Sequence, residues 1–153
     1  MQGQKSSGDS PGAGRQFCVL SPLAREYDIA DISTNILNKN IYDGAEKYWI
    51  NNYSDYTNNK YDIVTFWFVI HHVLPEELES FIGFISRHLS NKGLVIFNSP
   101  LKCNKQTLYN NDGIKTSIYK KHEVMRAFVK EGFTLLERID YGINEFFIFT
   151  KDA

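Results

Sequence analysis

Residues 60–100 read KYDIVTFWFVIHHVLPEELESFIGFISRHLSNKGLVIFNSP. Within them, residues 61–68 (YDIVTFWF) are almost continuously apolar, β-branched and aromatic. That is how a strand buried on both faces of a parallel sheet reads. Residues 75–89 follow as an amphipathic helix, because Leu78, Phe81, Ile82, Ile85 and Leu89 recur at helical spacing. Pro75 followed by Glu76 and Glu77 marks its first turn. Residues 90–93 (SNKG) stop it, with Gly93 available for a left-handed conformation. Residues 94–97 (LVIF) then form a second buried strand. A strand, a crossover helix and a strand make one unit of a parallel sheet.

The same alternation extends outward. Upstream, residues 27–32 (YDIADI) form a short strand ending in an acid. Residues 34–40 read as a short helix with Ser33 or Thr34 as N-cap. Residues 47–53 (KYWINNY) form another strand, and Asn58-Asn59-Lys60 a turn. Downstream, residues 101–117 are polar and irregular, and residues 120–131 form a helix ended by Gly132. Residues 133–141 and 145–151, split at Gly142-Ile143-Asn144, read as an antiparallel hairpin. The expected fold is α/β: an open, mostly parallel, doubly wound sheet with a C-terminal antiparallel hairpin. No internal repeat is present at any solenoid period.

The 153 residues are enough for one domain, and the formal net charge of -1 gives no electrostatic argument for nucleic acid or an anionic membrane. Cys18 and Cys103 fit no metal spacing and read as reduced thiols of a cytoplasmic protein, a viral protein working in its host's cytosol included. His71, His72, His88 and His122 fall on three elements and form no HExxH, so no metal is expected. The longest apolar run, residues 63–73, falls short of the roughly 18 residues that span a bilayer. Residues 1–14 carry almost nothing apolar, so residues 1–22 are expected to be a flexible or atypical N-terminal segment ahead of a domain over residues 23–153.

Tyr61-Asp62, Ile70-His71-His72-Val73 and Asn91-Lys92-Gly93, followed by Tyr119, Glu123 and Glu131-Gly132-Phe133, stand in an order and spacing that resembles the class I (Rossmann-like) S-adenosylmethionine-dependent methyltransferases. The resemblance covers residues 27–151. It implies S-adenosylmethionine as cofactor, bound outside the carboxyl ends of the strands at the topological switch point. It implies that Asp31, with Ile32 beside it, closes the second strand and accepts the ribose hydroxyls. Asp28 is the rival acid, and a cap for the helix near Thr34 is the alternative role. Asp55 would contact the adenine, or be a turn residue only. Trp67, Phe68 and Val69 would line the methionine and adenosine, or pack as core. His71 and His72 are the candidate catalytic bases, against a role in packing and capping the strand-to-helix turn.

The same family opens with a buried central strand and a glycine-rich turn. Here Gly12 and Gly14, within residues 8–14, are the candidate cofactor glycines, and a Gly/Ser/Pro tract also reads as a plain flexible tail. Residues 16–26 would be the following helix, broken by Pro22. Residues 1–7 are too polar for a strand buried on both faces, so the first strand is expected to be missing. A truncated product, a foreign N-terminus and a reduced fold all fit that reading.

Methyl transfer by this family works by holding the nucleophile in line with the methyl group and excluding water. The acceptor is not named by a motif. The fourth strand is not followed by [DNS]-P-P-[YF]; Asn98-Ser99-Pro100 follows the fifth and is no substitute. The Lys-Asp-Lys-Glu tetrad of ribose methylation is absent too. A small molecule is preferred, with RNA and protein open. Residues 101–117, with Lys102, Lys105, Tyr109 and Lys115, lie where acceptors are often bound, or form a solvated connection. A catalytically inactive methyltransferase-like module that binds a partner or active subunit is the second hypothesis; the missing strand favours it, while Asp31 and Asp55 favour the enzyme. A nicotinamide-binding domain is weaker still, since GxGxxG after a strand is lacking. An apolar face left by a missing strand would favour an oligomer.

Overall fold

The computed structural model describes residues 2–3, 15–31, 33–54, 58–100, 106–109, 115–119, 121–141 and 144–152. Nine strands and four α-helices are described: β1 (Gln2–Gly3), α1 (Arg15–Leu20), β2 (Asp28–Asp31), α2 (Thr34–Leu37), β3 (Glu46–Trp49), β4 (Tyr61–Phe66), α3 (Leu78–His88), β5 (Leu89–Pro100), β6 (Gln106–Tyr109), β7 (Lys115–Ile118), α4 (Lys121–Lys130), β8 (Phe133–Tyr141) and β9 (Asn144–Lys151). Seven strands form one sheet in the order β3-β2-β1-β4-β5-β9-β8. β1 to β5 run parallel, and the terminal hairpin adds β9 antiparallel to β5.

The expectation of a missing first strand is corrected. Gln2 pairs with Ile29 of β2 and Thr65 of β4, and Gly3 pairs with Ala30. A rudimentary strand therefore occupies the central position. The ladder is made by main-chain N–H and C=O groups, which Gln and Gly carry as well as Val does. Side-chain polarity was the wrong criterion for a strand of two residues.

Alternate residues of the strands feed two cores. Val64, Phe66, Val95, Phe97, Phe147 and Phe149 point to the face covered by α3 and α4. Their rings stack: Phe97 lies 4.6 Å from Phe66 and 5.0 Å from Phe128, and Phe128 lies 4.6 Å from Phe149. Each such pair adds about 0.5–1.5 kcal/mol beyond the area it buries. On β2 the alternation splits, with Ala30 in that core and Ile29 in a second one with Leu37 and Tyr42. There α1 contributes Phe17, edge-on to Tyr27 and Tyr42 at 5.3 Å each. Helices on both faces make the sheet doubly wound. Pro22 ends α1 as expected: the chain turns into a 3-10 segment over Ser21–Leu23.

Two local readings change. Residues 90–93 are an irregularity within β5, and the positive φ there (60°) belongs to Lys92. Gly93 is needed for space instead, because a Cβ would lie 2.8 Å from the Leu89 side chain and 2.9 Å from the Ser90 carbonyl oxygen. Residues 101–117, read as irregular, contain β6, which pairs with β7 as a separate antiparallel ribbon, Gln106 opposite Ile118. Thr107, Leu108, Tyr109 and Thr116 give both strands ordinary β propensity. Among the described residues no helix is long and apolar enough to cross a membrane.

Candidate functional site

The strand order reverses between β1 and β4: β2 and β3 lie to one side, β5 to the other. The carboxyl ends of β2 and β4 flank that point, which is where open α/β sheets bind ligands. β2 ends in Asp31, only 2% exposed. Its Oδ1 accepts the Ser33 N–H at 2.8 Å, and its carbonyl accepts the Ile50 N–H at 2.9 Å. The side chain thus shapes the approach to α2, part of the capping role weighed above. A carboxylate accepts through both oxygens, so shaping a turn and binding a ligand are compatible. Asp31 also faces Tyr53, whose phenol is pushed up to about 12 by burial first, then by the charges of Glu77 and Asp31.

Asp28, the rival acid, sits at the opposite end of β2. Its Oδ2 accepts the Tyr61 hydroxyl at 2.6 Å, far from the carboxyl ends. Beyond β3, Arg87 of α3 donates to the Tyr53 carbonyl at 2.5 Å, and Tyr53 packs edge-on against Phe81 at 5.2 Å. This fixes the turn that leads toward Asp55. Asp55 itself lies outside the described residues, as do Ile32, Gly12 and Gly14.

β4 ends in a strained turn. Phe68 has φ 54°, a left-handed conformation that costs a non-glycine residue about 1–2 kcal/mol. Asn98 holds it there, its Oδ1 accepting the Phe68 N–H at 2.7 Å. Strain of this kind, where surrounding contacts over-determine it, clusters at ligand sites. Trp67 lies 5.6 Å from Phe146, and its Nε1 is buried with no hydrogen-bond partner. Val69, in contrast, is 5% exposed and belongs to the core.

His71 and His72 fall in a 3-10 turn over Ile70–His72, their rings 4.0 Å apart. Burial, then the neighbouring charge of His72, push His71 down to about 4. It is a neutral and weakly basic imidazole at physiological pH. Its Nδ1 is buried without a partner, as are Asn98 Nδ2 and Ser99 Oγ. Such groups are few in native proteins, and a water, an ion or a ligand can satisfy them. Four of them, on Trp67, His71, Asn98 and Ser99, stand at or just beyond the carboxyl ends of β4 and β5. Sequence reading did not single out Asn98 and Ser99, which the structure brings to the candidate site. Their signal was two polar residues closing an otherwise apolar strand, LVIFNSP. Among the described residues no three His, Cys, Asp or Glu side chains group to hold a metal ion.

No protein-family model matches the sequence, and no curated protein matches it. Solved structures do. The chain is similar to a S-adenosylmethionine-dependent methyltransferase from Clostridium acetobutylicum (16% identity, TM-score 0.72, covering 93% of this chain and 81% of that one). It is similar to DhpI in complex with SAH (16% identity, TM-score 0.75, covering 92% and 73%). A third is SAM-bound CalS10, an amino pentose methyltransferase from Micromonospora echinaspora (12% identity, TM-score 0.72, covering 92% and 80%). At these identities the likeness is one of fold: this chain has the fold of the S-adenosylmethionine-dependent methyltransferases.

Proposed function

We propose that the protein is a S-adenosylmethionine-dependent methyltransferase acting on a small-molecule acceptor. The observation that carries this reading is the buried Asp31 closing β2 at the switch point of a sheet that methyltransferases share. When bound, S-adenosylmethionine supplies an electrophilic methyl group on a sulfonium. Asp31 would hold the ribose hydroxyls as charge-assisted hydrogen bonds. Trp67 and Phe68 would wall the adenosine and methionine, with Asn98 fixing the Phe68 turn. Ile32, Asp55, Gly12 and Gly14 are the further contacts assigned to the same pocket. The buried, unpartnered donors on Trp67 and Asn98 fit a ligand rich in oxygen acceptors. His71, neutral and weakly basic, is assigned to packing rather than to proton removal, so orientation and exclusion of water carry the rate. A small acceptor is supported by the amino pentose named for CalS10 and by a net charge of -1, which offers no general attraction to RNA.

Calorimetric titration with S-adenosylmethionine and S-adenosylhomocysteine tests the reading, with an Asp31→Asn variant alongside. That substitution keeps an oxygen for the Ser33 N–H and removes the charge. Saturable binding that weakens by about tenfold to a hundredfold in the variant is expected, since a hydrogen bond to a charged group is worth roughly 1.5–3 kcal/mol. A folded protein that binds neither ligand overturns the enzyme reading.

A further inference from the structure

The chain between β4 and α3 is gripped by side chains at both ends. At its front, Asn98 Oδ1 accepts the Phe68 N–H at 2.7 Å. At its rear, the peptide unit joining Val73 to Leu74 is held on two sides. Its carbonyl accepts the Tyr119 hydroxyl at 2.5 Å, and its N–H donates to Glu77 Oε2 at 3.3 Å. Between the two grips the main chain stitches the histidine turn. The His72 N–H donates to the Val69 carbonyl at 2.8 Å, and the Val73 N–H to the Ile70 carbonyl at 3.1 Å.

The rear grip answers a need that the local sequence creates. Leu74 precedes Pro75, which disfavours helical backbone before it, and Leu74 is extended at φ −69° and ψ 152°. The turn over Ile70–His72 therefore does not run on into α3. The peptide between them leaves its polar groups to be satisfied by side chains. Val73 is 1% exposed, so water does not replace the hydroxyl without opening the structure. Tyr119 comes from 46 positions further on, between β7 and α4, and is 2% exposed itself. β7 packs against the same turn. Burial first, then the carboxylates of Glu123, Glu76 and Glu77, push the Tyr119 phenol far up, so it remains a donor at any working pH.

We infer that Tyr119 is a positioning residue of the candidate cofactor site: its hydroxyl fixes the Val73–Leu74 peptide, and through the histidine turn it holds Phe68 in the wall of that site. This rests on the S-adenosylmethionine reading proposed above. Phe68 makes the dependence steep. A residue at φ 54° stays there only while its surroundings over-determine it. The Phe68 ring lies 6.5 Å from that of His71, so the turn and the wall pack as neighbours. With the rear grip removed, the turn is free to shift, and the Asn98 bond is left to oppose the relaxation of Phe68.

Tyr119→Phe tests this, because it keeps the ring in the core and removes only the hydroxyl. Two readings are taken on the folded variant: calorimetric affinity for S-adenosylhomocysteine, and the titration of the His71 ring by NMR. The affinity is expected to fall by about threefold to tenfold, within the range that packed networks transmit. The His71 imidazole, held down at about 4 in the wild type, is expected to titrate closer to 6.5 as the loosened turn admits water. Either reading unchanged overturns the proposal, even where stability falls, because a tyrosine that only fills the core moves neither. A wild type that binds no S-adenosylhomocysteine sinks the cofactor reading instead, and the hold on the turn is then judged by the His71 titration alone. Should Tyr119→Phe not fold, Glu77→Ala decides the matter, since it releases the other side of the same peptide from a side chain partly in water. The same two shifts are expected there, and their absence overturns the proposal.

Discussion

Lowering the pH from 7 to 5 should cost this protein about 2 kcal/mol of folding stability through His71 alone. The imidazole is enclosed between Phe68, its ring centroid 6.5 Å away, and His72 at 4.0 Å. Burial and the charge of His72 hold it down at about 4 in the folded protein, against 6.5 in the unfolded chain. The folded pKa is the lower one, so this contribution is present above pH 6.5 and is lost as pH falls toward 4. Between those limits the unfolded chain takes up a proton that the folded protein refuses, at about 1.4 kcal/mol per pH unit. Urea unfolding of wild type and His71→Gln at pH 7, 6 and 5 reads the effect of His71 together with its coupling to His72. His88, also pushed down by burial, and the carboxylates remain in both proteins and cancel in the difference. Wild type should lose about 2 kcal/mol more than the variant over the two units. Equal losses, or an imidazole seen by NMR to titrate near 6.5 in the folded protein, would refute the reasoning. They would also reopen His71 as a proton acceptor at physiological pH.

Three further outcomes follow from particular contacts. Gly93→Ala should destabilise by about 1–3 kcal/mol, because the new methyl meets the Ser90 carbonyl and the Leu89 side chain; a urea midpoint that stays put or rises would contradict that. Asn98→Ala should cost about 1–3 kcal/mol by orphaning the Phe68 N–H, and should weaken binding of S-adenosylhomocysteine in calorimetry; unchanged stability would remove Asn98 from its positioning role. Adding Phe68→Gly to that variant should recover about 1 kcal/mol, because glycine adopts φ 54° without strain; a further loss of stability would show that the ring's packing outweighs the backbone cost.

The parts of the fold that were legible are those whose side chains carry the information. β4 and β5 are apolar on both faces and could be little else, α3 shows its apolar stripe, and the β8–β9 hairpin brackets a turn. Asp31 was legible because an acid at the end of an apolar strand is chemically conspicuous. Three features were not legible, for different reasons. β1 is held by its main chain, which every sequence supplies alike. The β6–β7 ribbon is embedded in a polar stretch, so composition outweighed the β-branched residues within it. The role of Asn98 depends on a partner thirty positions earlier, the N–H of Phe68, and no local pattern announces such a bond.

Polar side chains cross the middle of the sheet beside the short β1. Among the described residues β1 meets β4 in register at Gln2 and Thr65. Side chains add to the tie between the two halves of the sheet. The Tyr61 hydroxyl of β4 donates to Asp28 of β2, and Tyr27 hydrogen-bonds with Thr65. Asn59, just ahead of β4, donates to the Tyr48 hydroxyl of β3 at 2.7 Å, and Arg87 of α3 reaches the Tyr53 carbonyl. Burial pushes the Tyr61 phenol far up and that of Tyr27 up to about 12, so both keep their protons at any physiological pH. This is the physical reason the proposed ribose role falls to Asp31 and not to Asp28, three residues earlier: the Asp28 carboxylate is a strut between the halves. The candidate site straddles the same seam, with Asp31 on the β2 side and Trp67 and Phe68 on the β4 side. These struts therefore help to set the distance between the wall that would hold the ribose and the wall that would hold the rest of the cofactor.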